Sequence, residues 1–148
     1  MATVSLQSVQ DLRAWVDRKL KEWPAGSVIL LSGDLGAGKT ELVRQVVRTK
    51  LQAQGLPEGR VVSPTFVIHQ SYPKVGVEHF DLYRFEGAGR EALVEIGYYD
   101  ALSRVRAEGG LAFVEWPEKV ADPKDLDADR RISISLQTDS SRIITDTP

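Results

Sequence analysis

Hydrophobic and polar positions change their period several times along this chain, and each change marks an element. Leu12, Trp15, Val16 and Leu20 recur at three- and four-residue spacing behind Ser8-Val9-Gln10-Asp11, which predicts a capped helix lying on the core. Trp23-Pro24-Ala25-Gly26 ends it. Val28-Ile29-Leu30-Leu31 is an unbroken apolar run, short enough for a strand covered on both faces. A second helical period opens at Leu42-Val43 and runs to about Gln54, where Gly55-Leu56-Pro57-Glu58-Gly59 breaks it. Phe66 to Tyr72 and Val77 to Leu82 are β-rich runs joined by Pro73-Lys74-Val75-Gly76, the pattern of an antiparallel hairpin. A helix follows from about Gly89 to Ala107, with Leu93, Ile96, Leu102 and Val105 inward and Gly97 as a point of interruption. Glu108-Gly109-Gly110 stops it. Leu111-Ala112-Phe113-Val114 reads as a buried strand and Asp122 to Arg131 as a charged loop. Ile132 to Leu136 alternates like a strand with one wet face. Beyond Thr138 the pattern fades. Helices alternating with strands predict a single α/β domain over residues 1–148, its mixed, mostly parallel sheet flanked by helices and carrying one β-hairpin.

Composition narrows the setting. The chain has 148 residues, 42% of them hydrophobic, which suits one domain with a real core. It contains no cysteine, so disulfides and thiolate metal sites are excluded and a reducing, cytoplasmic setting is expected. No apolar stretch approaches the roughly 20 residues that span a bilayer, so no membrane association is expected. Lys and Arg number 19 against 21 Asp and Glu, a formal charge of −2. The scattered arginines disfavour direct grip on nucleic acid, which needs a basic face.

The candidate chemistry sits between the first strand and the second helix. Gly33-Asp34-Leu35-Gly36-Ala37-Gly38-Lys39-Thr40 fits the phosphate-binding loop G-x-x-x-x-G-K-[ST]. A buried strand, a glycine turn and a helix start aim backbone N–H groups at one point, where polyphosphate can sit. Lys39 is placed to reach the β- and γ-phosphates and Thr40 to ligate Mg²⁺. Such a loop needs an acidic partner, because Mg²⁺ takes oxygen ligands. Two acids stand at strand ends: Glu115 closes Leu111–Val114 in the usual Walker-B position, and Asp81 closes Val77–Phe80. Each alone also reads as a solvated strand-end carboxylate; both beside a phosphate loop favour function. Thr65, in Ser63-Pro64-Thr65, occupies the place of a switch threonine that senses the γ-phosphate, or else Pro64 merely opens a strand. His79 reads as a core histidine rather than a base or ligand, since only His69 accompanies it and its setting is a strand. Trp116 and Tyr83 are either core aromatics or flank the site. Arg84 is the nearest candidate for an arginine finger.

Gly33–Thr40 as GDLGAGKT, Ser63–Phe66 as SPTF, His79–Arg84 as HFDLYR and Glu115–Glu118 as EWPE, in this order, resemble the bacterial TsaE family. The resemblance extends from the first helix to about Val120. It implies a small P-loop ATPase that works with TsaB and TsaD to make threonylcarbamoyladenosine at position 37 of tRNA, meeting tRNA only through that complex. In the family, ATP hydrolysis supports repeated turnover of the synthase while TsaD transfers the threonylcarbamoyl group. Carried over by position, Gly33 and Gly36 through Thr40 hold the phosphates of ATP or ADP, and Thr40 and Glu115 bind Mg²⁺. Asp81 orients a metal-bound or attacking water, and Trp116 stands close to the nucleotide. Val9 and Arg142 belong to segments closing over its base side. One departure concerns Glu41: the family often has a hydroxyl residue there, suited to the α-phosphate, and an ionised carboxylate cannot donate.

Two other classes share the phosphate loop. A small-molecule kinase needs an acceptor pocket and usually an arginine-bearing lid, whereas the stretch from Asp81 to Glu115 holds four arginines and much apolar helix. A binding module would use nucleotide occupancy to control docking, with hydrolysis incidental.

Overall fold

The computed structural model describes residues 2–58 and 67–148. Its strands are β1 (Ala2–Leu6), β2 (Ser27–Ser32), β3 (His69–Tyr72), β4 (Val77–Asp81), β5 (Leu111–Glu115), β6 (Arg130–Leu136) and β7 (Arg142–Thr147). Its helices are α1 (Val9–Glu22), α2 (Lys39–Ala53), α3 (Arg90–Glu95) and α4 (Tyr98–Glu108), with 3₁₀ turns at Pro117–Lys119 and Pro123–Leu126. All seven strands join one sheet in the order β1-β7-β6-β2-β5-β4-β3. The centre, β6-β2-β5-β4, is parallel; β3 pairs antiparallel with β4 at one edge, and β7 and β1 run antiparallel at the other.

The continuous apolar runs are explained by burial on both faces. Ile29 and Leu31 of β2 join Phe113 of β5 beneath α1 and α2, where Trp15, Val16, Leu42, Val43 and Val46 pack. The alternate residues Val28, Leu30, Ala112 and Val114 face α3 and α4, against Leu93, Tyr98, Leu102 and Val105. Ser8 caps α1 by accepting from the Asp11 N–H at 3.1 Å, and Asp11 returns the bond to the Gln7 N–H at 2.8 Å. Gly97, at φ 78°, divides the predicted long helix into α3 and α4, and Gly109, at φ 75°, ends α4. Among the described residues, no helix is long and apolar enough to cross a membrane.

Two expectations change, and one strand is added. The weakly patterned tail is a strand: the chain turns at Ser140, φ 72°, and Arg142–Thr147 becomes β7, making a second hairpin with β6. Ala2–Leu6, ahead of the first predicted helix, pairs with it as β1. The charged loop is shorter than expected, because Leu126 is buried in a 3₁₀ turn and β6 starts at Arg130.

β7 is fixed by a buried ionic cluster. Asp146 accepts from Arg130 Nε at 3.0 Å and Trp23 Nε1 at 3.2 Å, and Lys19 Nζ lies 3.0 Å from it. Burial pushes the Asp146 carboxyl up, but hydrogen bonds from Arg130, Lys19 and Trp23 outweigh it and hold the group below the usual carboxylate range.

Candidate functional site

The carboxyl ends of the parallel strands open on one side of the sheet, and the predicted residues converge there. The loop after β2 reaches α2 through two left-handed glycines, Gly36 at φ 78° and Gly38 at φ 114°. A Cβ on Gly33 would lie 2.5 Å from the Ile134 carbonyl oxygen, so the loop backbone sits where no side chain fits. Because α2 begins at Lys39, its first-turn N–H groups have no intrahelical acceptor, and the helix dipole adds positive potential at the same point.

Lys39 is only 5% exposed. Its Nζ donates to the Gly33 carbonyl and lies 3.4 Å from the centroid of the Trp116 ring. Burial lowers the ammonium pKa, against the opposing fields of Glu115, Glu118, Asp81 and Asp34. Trp116 holds this position with a left-handed backbone, φ 59°, between Glu115 and Pro117. Tyr83 stands edge-on to its ring at 5.0 Å, so both aromatics flank the loop.

In-register pairing of β4 with β5 sets Asp81 opposite Glu115. Thr40 Oγ1 donates to Glu115 Oε2 at 3.0 Å, and His79 Nε2 lies 2.5 Å from that same oxygen. Asp81 accepts from the Tyr83 N–H at 2.9 Å. Burial pushes the Asp81 carboxyl up; the Tyr83 N–H opposes this and the neighbouring Glu115 charge adds to it. Among the described residues no group of three His, Asp or Glu side chains could hold a metal alone. Mg²⁺ is commonly held by one or two carboxylates plus substrate phosphates, and a hydroxyl with two carboxylates beside a phosphate loop suits that habit.

These residues line a cleft of about 450 Å³ that includes Leu35, Lys39, Asp81 and Trp116. A second cavity of about 240 Å³ adjoins it, sharing Ala37, Gly38, Glu41 and Arg142, with Leu6, Val9, Leu12 and Ile144 as apolar walls. Val9 and Arg142 therefore line one cavity, and Arg142 also borders the cleft that holds the acids. Arg142 also does something its position in the chain did not indicate: its Nε donates to the Ala37 carbonyl at 2.8 Å and braces the phosphate loop. Glu41 lies between the two cavities with its carboxylate held by Arg44 at 2.6 Å and Gln45 at 2.7 Å. Thr65 lies outside the described residues. Arg84 shows no contact with the acids.

His79, read from the sequence as a core histidine, is buried as expected and also reaches Glu115. The available signal was parity: His79 and Asp81 are two apart on one strand and so share a face.

The family described as threonylcarbamoyl adenosine biosynthesis protein TsaE matches residues 6–144. A tRNA threonylcarbamoyladenosine biosynthesis protein TsaE from Synechocystis is 38% identical over 108 residues, 72% of this chain and 64% of that protein. The Nostoc TsaE protein is 38% identical over 65% of this chain and 56% of its own length, and the Rickettsia prowazekii one 36% identical over 62% and 57%. The chain thus matches roughly three-fifths of each relative's length. The crystal structure of Bacillus subtilis YdiB superposes with a TM-score of 0.68 over 99% of this chain and 84% of that one, at 23% identity, and shares the fold. With the matched region running from β1 to β7, this chain belongs to the TsaE family of threonylcarbamoyl adenosine biosynthesis proteins.

Proposed function

We propose that this chain is a single-domain ATPase that binds Mg²⁺-ATP across the two adjoining cavities and hydrolyses it in support of tRNA threonylcarbamoyladenosine synthesis, acting in the cytoplasm with TsaB and TsaD. The observation that carries the reading is the meeting of Lys39 and Thr40 with Glu115 and Asp81 at one end of the sheet. The loop N–H groups and the α2 N-terminus hold the phosphates, and Lys39 exchanges the Gly33 carbonyl for phosphate oxygens. Thr40 and Glu115 would hold Mg²⁺, which when bound supplies positive charge at the β- and γ-phosphates. Asp81 places water for in-line attack on the γ-phosphorus; its neighbour Glu115 and its buried setting make it able to accept a proton late in that step. Leu6, Val9, Leu12 and Ile144 offer apolar cover to the base, with Arg142 at its edge.

Trp116 on Lys39, and the lack among the described residues of an arginine paired with Asp81 or Glu115, fit slow turnover by the isolated chain. The test is ATP hydrolysis by the purified protein with and without TsaB and TsaD, with Lys39→Ala as control. Turnover that rises on adding both proteins and is abolished by Lys39→Ala supports the reading. Phosphate release that is unchanged in Lys39→Ala overturns it.

A further inference from the structure

His79 occupies the middle of β4 with no exposed surface. Both hydrogen bonds that the Glu115 carboxylate accepts among the described residues fall on Oε2, one from Thr40 Oγ1 at 3.0 Å and one at the His79 Nε2 contact of 2.5 Å. The second ring nitrogen, Nδ1, is buried without a hydrogen-bond partner among the described residues. An ionised carboxylate only accepts, so Nε2 is the donor of this contact. A buried polar atom without a partner weakens the fold, and an apolar side chain at this strand centre would avoid that cost. Stability alone therefore gives no reason for imidazole here; the bond to Glu115 does.

We propose that His79 is a positioning residue: its Nε2–H clamps Oε2 of Glu115 against Thr40, which fixes the carboxylate rotamer and leaves Oε1 free for Mg²⁺ or a water bound to it. The inference rests on the reading of Glu115 as the metal acid. Thr40 is the hydroxyl donor on one side and His79 the ring donor on the other, so the carboxylate cannot swing away without breaking two bonds. Partners that orient a metal ligand in this manner commonly change metal affinity 10- to 100-fold when lost.

The experiment compares His79→Gln and His79→Met, side chains of similar length and volume, of which only Gln carries an N–H near the position of Nε2. The readout is the Mg²⁺ concentration that half-saturates binding of a non-hydrolysable ATP analogue, set beside binding of metal-free ADP. His79→Met is expected to raise the Mg²⁺ midpoint about tenfold or more while leaving metal-free ADP binding within twofold of wild type, and His79→Gln to recover most of the loss. In a Glu115→Gln background the His79→Met effect should vanish, since the clamp has no carboxylate to hold. His79→Asn, whose shorter amide stops short of Glu115, replaces His79→Met if that variant fails to fold, with the same rise expected. Wild-type Mg²⁺ dependence in His79→Met or His79→Asn, or equal loss in Gln and Met, overturns the proposal while leaving the ATPase reading intact. Analogue binding by the wild-type protein that does not respond to Mg²⁺ overturns the metal role of Glu115 and the clamp with it.

Discussion

Asp146→Asn tests the ionic cluster that fixes β7 and, through it, the wall of the second cavity. The substitution keeps the shape and one acceptor oxygen but removes the charge facing Lys19 and Arg130. Both cations are largely withdrawn from water, their side chains 9% and 21% exposed. Removing one partner from a buried pair typically costs about 3–5 kcal/mol. Here the amide oxygen still accepts from one donor, and Lys19 retains Glu22 at 3.2 Å, so the expected loss is about 2–3 kcal/mol at pH 7. For a chain of this size that lowers Tm by about 6–10 °C. The pH dependence follows from the depressed carboxyl. A group whose folded pKa lies below its unfolded value contributes its full stability above the unfolded value, near 3.8, and loses it as pH falls through the folded one. The gap between wild type and Asp146→Asn should thus be flat from about pH 7 to 5 and close progressively below about pH 4. Urea unfolding followed by circular dichroism at a series of pH values measures both. A gap under about 0.5 kcal/mol at pH 7, or one that fails to narrow in acid, refutes the reasoning.

Lys39→Ala should fold with nearly unchanged Tm, because it also removes a buried ammonium, and lose ATP turnover by at least about a hundredfold in a phosphate-release assay. Glu115→Gln should raise the Mg²⁺ requirement and weaken Mg²⁺-ATP more than metal-free nucleotide in titration calorimetry, whereas Asp81→Asn should bind Mg²⁺-ATP nearly normally and turn it over slowly. The opposite pairing of effects would exchange their roles. Nucleotide should change tryptophan emission through Trp116, since phosphate draws Lys39 from its ring; Trp116→Phe should bind nucleotide and lose most of that change, leaving Trp15 and Trp23, which pack edge-on in the core, as a constant background.

The phosphate loop and the two acids were readable because each depends on local pattern: a glycine-spaced motif between strand and helix, and a carboxylate where an apolar run stops. Their meeting needed only the rule that parallel strands open at one end. The edge strands were harder. Ala2–Leu6 alternates apolar and polar residues but over only five positions, and Arg142–Thr147 includes two threonines and an aspartate, so neither stands out as a strand. β7 becomes a strand on the edge of β6, and β1 becomes one on the edge of β7. The bracing of Ala37 by Arg142 depends on that same pairing, which brings the far end of the chain beside the loop. The contact of His79 with Glu115 was hidden for a related reason. Its burial follows from its strand, but its partner lies on the neighbouring strand, and only the register of β4 on β5 brings His79 and Glu115 to one face.

The pairing of Ala2–Leu6 with Arg142–Thr147 also orders events during synthesis. Among the described strands β1 precedes and β7 follows all the others, so β1 must wait for the six strands after it before it finds its partner. β2, β5 and β4 are all translated earlier, and with α2 they can bring Lys39, Thr40, Asp81 and Glu115 together before β7 emerges. The apolar cavity is different, because Leu6 and Val9 form one wall and Arg142 and Ile144 the other. On the proposed reading, a nascent chain could hold a phosphate group before it could enclose a base, because the second cavity waits for β7.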